Sequence, residues 1–331
     1  MLRCLQSVFD DPAEGGMEVL VVDNASTDGS VQAAVEAFPE VKVIRSRRNL
    51  GYAGGCNLGM TFAHGPFFLL LNDDAELTPG CIETLLQRME QDDTIAAVQP
   101  KILSRDHPEY FDYAGAAGGM IDIFGYPFAR GRIFFTTEPD RGQYDEDSEI
   151  FWASGTCCLL RRKALDRVGF LDEAFFAHME EIDLNWRMHL AGFKIVYVAG
   201  ARVYHQGAAT LASDSPKKHF LNHRNNLLML CKNYSPASLM WILPIRLFLE
   251  TIGLIYVISQ GQLAHALAIM RAWMAAVAAM PYLRRKRKSI KRLRRIADRE
   301  LRKRMYRGSI VYQYFLRGRK DYRSLSGVTN G

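Results

Sequence analysis

The stretch FFLLLNDD, residues 67–74, joins five consecutive apolar side chains to a polar segment that ends in an acidic pair. An apolar run of this length without alternation is typical of a β-strand that is covered on both faces. Two adjacent carboxylates at the end of such a strand are costly to desolvate unless they bind a partner. A divalent cation that bridges two phosphates is such a partner, since Mg²⁺ and Mn²⁺ prefer carboxylate oxygen. The alternative is that Asp73 and Asp74 only cap a helix that begins near Thr78.

Segments on both sides of this strand alternate between strand-like and helix-like patterns. Short β-branched runs predict two earlier strands, at residues 18–23 and 41–45. Helical patterns follow at residues 31–38, in a Gly-rich segment at residues 49–63, and at residues 78–91. Repeated strand–helix units predict an α/β fold with a doubly wound, mostly parallel sheet, which binds its ligands at the carboxyl ends of the strands.

A second acidic cluster lies at the start of a helix predicted over residues 180–191. Glu180, Asp183 and Arg187 fall on one face of this helix, so a surface salt-bridge ladder is one interpretation. Glu181 points elsewhere. A carboxylate at a helix start that projects into a cleft can accept a proton from a hydroxyl as a general base.

The remaining polar position of interest is His205, which ends a strand predicted at residues 201–205. A single histidine is more often a structural residue than a ligand, so both interpretations stay open. Two further strands are predicted at residues 151–161 and 193–198. Residues 108–150 are rich in Gly, Tyr, Phe and Asp without a clear period, which predicts loops and short strands over a site.

Composition limits the class of protein and its surroundings. A chain of 331 residues with 48% apolar and 24% charged residues can bury a core as one large domain with an appendage. The six cysteines form no C-x-x-C pair, which predicts reduced thiols in a cytosolic compartment. The net charge of +6 is uneven, because residues 284–304 carry thirteen Lys and Arg side chains against two acidic ones. The basic surface therefore belongs to the tail, and the main body is mildly acidic.

Two apolar stretches precede this basic tail, at residues 239–260 and 262–283. Each is long enough to span a bilayer, but charged or polar side chains interrupt both. The interruptions are Arg246 and Glu250 in the first stretch and His265 and Arg271 in the second. This pattern favours interfacial or re-entrant helices over a true span or a soluble bundle. The following basic run, residues 284–288, is typical of an anionic-lipid anchor on the cytoplasmic side, and no base-stacking module accompanies it to favour nucleic acid.

Taken in order, these motifs resemble those of family 2 glycosyltransferases, and most closely the bacterial rhamnosyltransferase-like branch. The resemblance covers about residues 2–234 and is specific as an ordered set. The motifs are VVDNASTDGS (21–30), NLGYAGGCN (49–57), LLNDD (70–74), ASGT (153–156) with Arg161, GFLDE (169–173), EEIDL (180–184) with Arg187, and VYH (203–205).

The resemblance implies a GT-A fold and an enzyme that transfers a sugar with inversion from a nucleotide-diphosphate sugar. It implies donor contacts at Asp23, Asn24, Asn49, Gly54, Asn57 and Asp73. It also implies a Mg²⁺ or Mn²⁺ ion bound by Asp74 and His205, because Asn72-Asp73-Asp74 occupies the place of the D-x-D motif. Glu181 matches the catalytic base of the family, with Glu180 and Asp183 beside it.

The expected organisation is a catalytic domain at residues 1–215, an apolar membrane-associating helical region at 216–283 and a basic tail at 284–331. The expected donor is a dTDP- or UDP-sugar, with rhamnose as one candidate. The expected acceptor is a hydroxyl of a glycan or a polyprenyl-linked lipid, in cell-surface polysaccharide synthesis. These expectations place the protein at the cytoplasmic face of the inner membrane, peripheral or re-entrant, with an anionic membrane surface but no nucleic acid as a partner.

Three departures from the family pattern leave rival functions open. The usual first strand is missing, because residues 2–7 already resemble the helix that follows it. Glu181 stands where the family has Asp, which lengthens the base by one methylene, and Asn72 supplies no charge to the metal motif. A catalytically silent membrane-bound scaffold is therefore one alternative. A nucleotidyltransferase fits less well, since its Gly-rich basic loop at the first strand is not seen.

Overall fold

The computed structural model describes residues 1–206 and 215–328. The strands are β1 (Leu20–Asp23), β2 (Lys42–Arg45), β3 (Phe67–Leu71), β4 (Ala75–Leu77), β5 (Ile95–Ser104), β6 (Gly119–Ile121), β7 (Pro127–Ala129), β8 (Arg132–Ile133), β9 (Thr136–Thr137), β10 (Ser148–Glu149), β11 (Cys157–Arg161) and β12 (Lys194–His205). The α-helices are α1 (Leu2–Phe9), α2 (Ser30–Ala37), α3 (Gly51–Phe62), α4 (Cys81–Glu90), α5 (Arg162–Val168), α6 (Glu180–Leu190), α7 (Pro216–Asn233), α8 (Pro236–Ser259), α9 (Leu263–Ala278), α10 (Met280–Leu293) and α11 (Asp298–Leu301).

The central sheet has the strand order β10-β12-β5-β11-β3, and β4 pairs with β12. β5 and β12 run parallel, whereas β3, β4, β10 and β11 are antiparallel to their partners. β1 and β2 form a separate parallel pair. The predicted α/β class is confirmed, with a pairing that is mixed rather than mostly parallel. The reason is that the chain returns as β11 between β3 and β5, a direction that an apolar pattern does not encode.

β12 carries the last residue of the predicted motifs. The sequence predicted two strands here, but the structure has one strand, Lys194–His205, with a register shift between Val198 and Arg202. Its end pairs with β4 so that His205 lies opposite Ala75, the residue that follows Asp74. The sheet register therefore brings the end of β12 beside the end of β3.

α4 packs on β5 and β12 and places Leu85 and Met89 in the core under the sheet. The helix begins later than predicted, at Cys81. The reason is that the Asp11 carboxylate accepts the backbone N–H groups of Gly80 and Ile82, at 2.6 and 2.8 Å, and so caps the helix in place of Thr78.

The segment predicted as loops and short strands contains β6 to β9, which form a four-stranded antiparallel sheet. The end of the predicted basic tail packs on this sheet. Ile310 and Leu325 are buried against Phe128 and Ile133 in one apolar cluster. Residues 298–325 are therefore part of the folded body and not a free tail.

The predicted apolar stretches form α8 to α10. α8 is long and apolar enough to cross a membrane by length and composition. α9 and α10 pass the same test only as a pair, and they are bent by 62° at their junction. All six cysteines are free, as predicted.

Candidate active site

The ends of β3 and β12 bring Asp74 and His205 together, as the sequence predicted. The Nε2 atom of His205 lies 3.1 Å from Oδ1 of Asp74. On the other side of the ring, Nδ1 lies 2.9 Å from Oδ1 of Asp112. Asp112 and His205 are both buried, and Asp74 is half-buried. The ring is thus held between two carboxylates.

This arrangement fixes the charge of the histidine. Burial alone would lower the pKa of His205, but hydrogen bonds to Asp112 and Asp74 overcome that effect and raise the pKa to about 9. Burial works to raise the pKa of Asp74, yet the hydrogen bond and charge of His205 lower it. The pair is therefore an ionised carboxylate and a protonated imidazole when nothing is bound between them.

The same geometry fits a divalent cation. A metal-binding histidine usually gives its second ring nitrogen to a carboxylate, which orients the ring. Asp112 does this here, and it leaves Nε2 aimed at Asp74, so that one cation can replace the proton between them. Within residues 1–206 and 215–328, no group of three or more His, Cys, Asp or Glu side chains converges as a metal site. Such an ion would need further ligands from a phosphate or water.

Asp112 was not predicted from the sequence. It follows β5 in the segment without a clear period, and 93 residues separate it from His205. The available signal was chemical, because a histidine that binds a metal needs a carboxylate or carbonyl behind it. Asp73, predicted to contact the donor, is exposed beside Asp74, and its donor contact stays a prediction.

The turn before α6 has an unusual backbone. Phe176, His178 and Met179 have φ values of 65°, 69° and 72°, in the left-handed region that non-glycine residues rarely adopt. Each such residue costs about 1–3 kcal/mol and persists only when its surroundings hold it. The turn leads directly into Glu180, the first residue of α6. Strain is therefore stored where the sequence predicted the catalytic carboxylates.

Asn225 of α7 holds this turn in place. Its amide nitrogen lies 2.9, 2.9 and 2.8 Å from the carbonyl oxygens of Phe175, Ala177 and His178. The Asn225 side chain is fully buried. This role was not predicted, because one amide on a distant helix binds three backbone carbonyls rather than a side-chain motif.

Glu180 and Glu181 emerge from the turn into a poorly solvated environment. Burial raises the pKa of both carboxyl groups, and the neighbouring charge of Glu181 raises that of Glu180 further. Each has one buried carboxyl oxygen, Oε2, without a hydrogen-bond partner among the described residues. Glu180 is almost fully buried, whereas Glu181 is partly exposed. Glu181 is therefore better placed of the two to exchange a proton with a bound molecule.

Asp183 does not join this site, contrary to the sequence-based expectation. Its side chain is fully buried and pairs with Arg187 at 2.9 Å and with Lys232 at 2.7 Å. Asn233 donates to its other oxygen at 2.8 Å. The expected helix-face pairing of Asp183 with Arg187 is present, but it lies in the core, where it joins α6 to α7. A carboxylate enclosed in this way has no contact with a substrate.

The loop over residues 49–57, called here the donor-side loop, is tied to the segment after β1 by side-chain amides. Asn24, which follows β1, donates to Asn49 and to the Gly51 carbonyl, and it accepts the N–H of Leu50 at 2.8 Å. Asn49 accepts the N–H of Gly51 at 2.8 Å. Asp23 accepts the N–H of Ser26 at 2.8 Å. These contacts shape the loop, and donor contacts of Asp23, Asn24 and Asn49 stay predictions.

Two predicted donor residues have structural roles, and their donor contacts stay predictions. Both ends of the Asn57 amide are used, since its nitrogen donates to Leu171 and Glu173 and its oxygen accepts the Leu171 N–H at 3.0 Å. Gly54 is buried within α3, where a Cβ atom would lie 2.7 Å from Cβ of Leu50. The G-G-x-N pattern therefore serves helix packing and the clamp on residues 171–173.

The donor-side loop and the turn before α6 are in contact. Gly51 has φ +72°, and a Cβ atom there would lie 2.3 Å from the Phe176 carbonyl oxygen. The same carbonyl accepts the N–H of Ala53 at 3.2 Å. The start of α3 and the turn that carries Glu180 and Glu181 thus share one packed boundary.

Comparison with known proteins gives relatives in one family. Residues 1–169 match the family described as Glycosyl transferase family 2. The chain is 31% identical over 248 residues to the N-acetylglucosaminyl-diphospho-decaprenol L-rhamnosyltransferase of Mycobacterium tuberculosis, an alignment that covers 70% of this chain and 80% of that protein. It is 29% identical over 210 residues to the O-antigen biosynthesis protein RfbC of Myxococcus xanthus, covering 60% of this chain and 16% of that protein.

Solved structures with the same fold include distant sequences. GalNAc-T7, solved with UDP, GalNAc and Mn²⁺, matches with a TM-score of 0.54 and 16% identity over 72% of this chain and 46% of that chain. S. aureus TarS (1–349), solved with UDP, matches with a TM-score of 0.51 and 17% identity over 88% of this chain and 85% of that chain. At these identities the likeness concerns the fold alone.

Proposed function

Because this chain belongs to glycosyl transferase family 2, with a GT-A-like fold, we propose that it moves a sugar, with inversion, from a nucleotide-diphosphate donor to a lipid-linked glycan. The observation that carries the proposal is the pairing of Asp74 with His205 and Asp112. Glu181 follows the strained turn as the second residue of α6. The pair of Asp74 and His205 suits the diphosphate of a donor, and Glu181 suits the hydroxyl of an acceptor. The donor class we propose is a dTDP- or UDP-sugar.

The acceptor proposal rests on the curated relatives. The M. tuberculosis relative is named for rhamnosyl transfer to N-acetylglucosaminyl-diphospho-decaprenol, and this chain covers 80% of its length. We therefore propose a polyprenyl-diphosphate-linked glycan as the acceptor and rhamnose as the first sugar to test. With such a substrate, we propose that the reaction belongs to cell-surface polysaccharide synthesis, at the cytoplasmic face of the inner membrane.

At the donor end, Asp74 and His205 would hold a Mg²⁺ or Mn²⁺ ion. Asp112 orients the ring of His205 for this role. When bound, the ion acts as a Lewis acid that neutralises the charge on the leaving diphosphate. Asp74 contributes its ionised carboxylate, and Asp112 keeps the Nδ1 proton of His205 so that Nε2 faces the ion. Asn72 adds no charge, so the residues that would hold the ion supply less negative charge than a motif with two acidic residues would.

At the acceptor end, Glu181 removes the proton of the attacking hydroxyl. The hydroxyl oxygen forms a bond to the anomeric carbon while the bond from that carbon to the diphosphate oxygen breaks, and the diphosphate leaves with the electron pair. A single displacement of this kind inverts the anomeric configuration. The raised pKa of Glu181 suits this role, because a base is most effective when its pKa approaches the working pH.

The test is sugar transfer from a panel of dTDP- and UDP-sugars to a short polyprenyl-diphosphate acceptor, with and without Mn²⁺ or Mg²⁺. We expect metal-dependent transfer that falls at least about 100-fold in Asp74→Asn, since a Lewis acid contributes several kcal/mol. Asp93→Asn, which changes a carboxylate that is 92% exposed, is the matched control. Inversion is read from the anomeric configuration of the product by NMR. Donor binding without turnover in all variants would instead support the silent scaffold.

A further inference from the structure

The two charged residues in the middle of α8 face the protein. Arg246 pairs with Glu250 at 2.5 Å, and both side chains are buried. Arg246 also donates to the Phe124 carbonyl at 3.0 Å and to Asn226 at 2.7 Å, and it lies 3.6 Å from the centre of the Tyr126 ring. The middle of α8 is therefore fastened to the catalytic body. This attachment favours a helix that lies along the protein.

The opposite face of α8 is apolar and open to solvent. Trp241, Ile245, Phe248, Ile252 and Ile255 are all exposed, and their spacing of three and four residues puts them on one side of the helix. α9 adds further exposed apolar side chains, which are Leu263, Leu267, Met270, Met274 and Val277. Two helices that contact each other and both expose large apolar side chains mark a candidate site of interaction with a membrane or another protein.

A basic cavity opens at the start of this face. It has a volume of about 350 Å³ and is lined by Ile123, Trp241, Arg299, Arg302, Lys303 and Arg307. Among the described residues that line it, four are basic and none is acidic, although Lys303 also pairs with Glu300 at 2.7 Å. The Arg302 guanidinium lies 5.6 Å from the centre of the Trp241 ring and donates to Ser238 at 3.0 Å. Trp241 thus belongs both to the apolar face and to the wall of the cavity.

Charge and position together identify the occupant. Tryptophan is enriched at the level of lipid headgroups, and basic side chains beside an apolar helix face attract anionic lipids. Arg284, Arg285 and Lys288 on α10 are also exposed. A second copy of this chain would meet its own basic cavity with like charge, whereas an anionic membrane supplies both the apolar and the acidic partner.

We propose that α8 and α9 lie in the plane of an anionic membrane, with their apolar face among the lipid chains, and that the basic cavity binds the headgroup phosphate of an anionic phospholipid. This refines the membrane partner of the proposed function. Its test needs no sugar transfer, so failure here is distinguishable from failure of the enzymatic proposal.

The first experiment is co-flotation of the full chain with vesicles of phosphatidylcholine, alone or mixed with phosphatidylglycerol. We expect strong binding only to the anionic vesicles. The double variant Arg299→Gln, Lys303→Gln should bind them about 30-fold more weakly, from two cations near an anionic surface. Lys42→Gln, Lys163→Gln removes the same charge from exposed positions elsewhere and should bind like the parent. Equal binding by the two double variants would overturn the phosphate site.

A second pair of variants tests the apolar face. Phe248→Ser, Ile255→Ser changes side chains that are 64% and 61% exposed, and it should abolish vesicle binding while leaving thermal unfolding unchanged. Phe135→Ser is the control, because this side chain is 80% exposed and lies between β8 and β9, away from α8. If the parent is a dimer by light scattering, and the double serine variant is monomeric but still binds vesicles, the face is an interface between copies and the proposal is wrong.

Two further measurements are needed. One distinguishes a lipid headgroup from free phosphate, and the other distinguishes an α8 that lies on the membrane from one that spans it. Inorganic phosphate at matched ionic strength should not displace the protein from vesicles, and displacement would assign the cavity to free phosphate. Ala237→Cys and Gln260→Cys place thiols at exposed positions near each end of α8. An impermeant thiol reagent should label both on the outside of vesicles, whereas protection of one of them would mean that α8 spans the bilayer.

Discussion

Asp112 decides which nitrogen of His205 faces Asp74, through one hydrogen bond of 2.9 Å. The carboxylate keeps the proton on Nδ1 and leaves Nε2 for whatever lies between His205 and Asp74. Glu181 is controlled differently, since it has an unpaired buried oxygen and a pKa raised by burial. One carboxylate therefore orients a ligand, and the other is kept ready to hold a proton.

The raised pKa of Glu181 predicts how kcat/KM depends on pH. Glu181 must be ionised to act as a base, and burial raises its pKa, so activity rises with pH through a midpoint above the ordinary range for glutamate. Because Glu180 titrates beside it, the midpoint describes the pair. Below the midpoint the rate should fall about tenfold per pH unit. The measurement is a pH profile of kcat/KM with saturating metal.

Two variants check this assignment. Glu181→Gln should lower kcat by about 10²–10⁴-fold and remove the acidic limb, while Glu181→Asp should keep the limb. Glu149→Gln, at an exposed glutamate of the sheet edge, should change neither. A limb that survives in Glu181→Gln would assign the base to another residue.

Sequence reasoning singled out Asp74 because an acidic pair follows a buried strand, and the family resemblance pointed to His205. The structure brings the two side chains together, and their role as metal ligands stays a prediction. Sequence reasoning did not find Asp112 or Asn225, because both act on partners far away in the chain and neither belongs to a periodic pattern. It misassigned Asp183, because spacing gives the helix face but not whether that face is exposed or buried. The contacts that orient a site thus depend on tertiary packing.

The turn over residues 176–179 is the element on which the base depends. Its three left-handed residues are strained, and Asn225 compensates with three hydrogen bonds. Asn225→Ala removes the hydrogen bonds from this amide to the three carbonyls and allows the turn to relax. We expect kcat to fall about 100-fold, because a shift of about 1 Å in a catalytic group has that effect, with little change in the dissociation constant of the donor.

The matched control is Asn233→Ala, at another fully buried asparagine of α7 that binds Asp183 and not the turn. Both variants lose about 1–3 kcal/mol of stability from an unsatisfied buried group. Only Asn225→Ala should show the large loss of kcat, measured beside the free energy of unfolding in urea. Equal losses of kcat would mean that the effect is general destabilisation.

Other elements show where pattern stops being informative. Strand β3 and helix α6 lie where periodicity predicted them. The direction of β11 and the start of α4 at Cys81 were not foreseen, because the first depends on chain reversal and the second on a cap from Asp11. Both are decided by residues outside the element itself.

On the scale of the whole molecule, residues 298–325 pack against the four-stranded sheet of β6 to β9 and stabilise it. Asp122, which is buried, accepts the N–H of Ile310 at 2.9 Å, and Ile310 is fully buried against that sheet. Ile310→Ala should lower the free energy of unfolding by about 2–4 kcal/mol through lost contacts and the cavity left behind. Leu316→Ala, at a side chain of the same segment that is 75% exposed, should lower it by less than about 0.5 kcal/mol.

Urea unfolding of the two variants measures the difference. A similar stability for Ile310→Ala and Leu316→Ala would show that residues 298–325 are not part of the cooperative fold. The sequence could not reveal this packing, because its excess of basic side chains is typical of a solvated tail.

Position 51 has no room for a side chain, because Phe176 fills the space that a Cβ atom there would need. The donor-side loop and the turn before α6 therefore have to fit each other, although they lie far apart along the chain. Recombination between two homologues that takes one piece from each parent joins surfaces that were never selected together. Substitutions at position 51 and in the turn must accumulate in a compensating order, so this boundary restricts the evolutionary paths open to the protein more than either loop does alone.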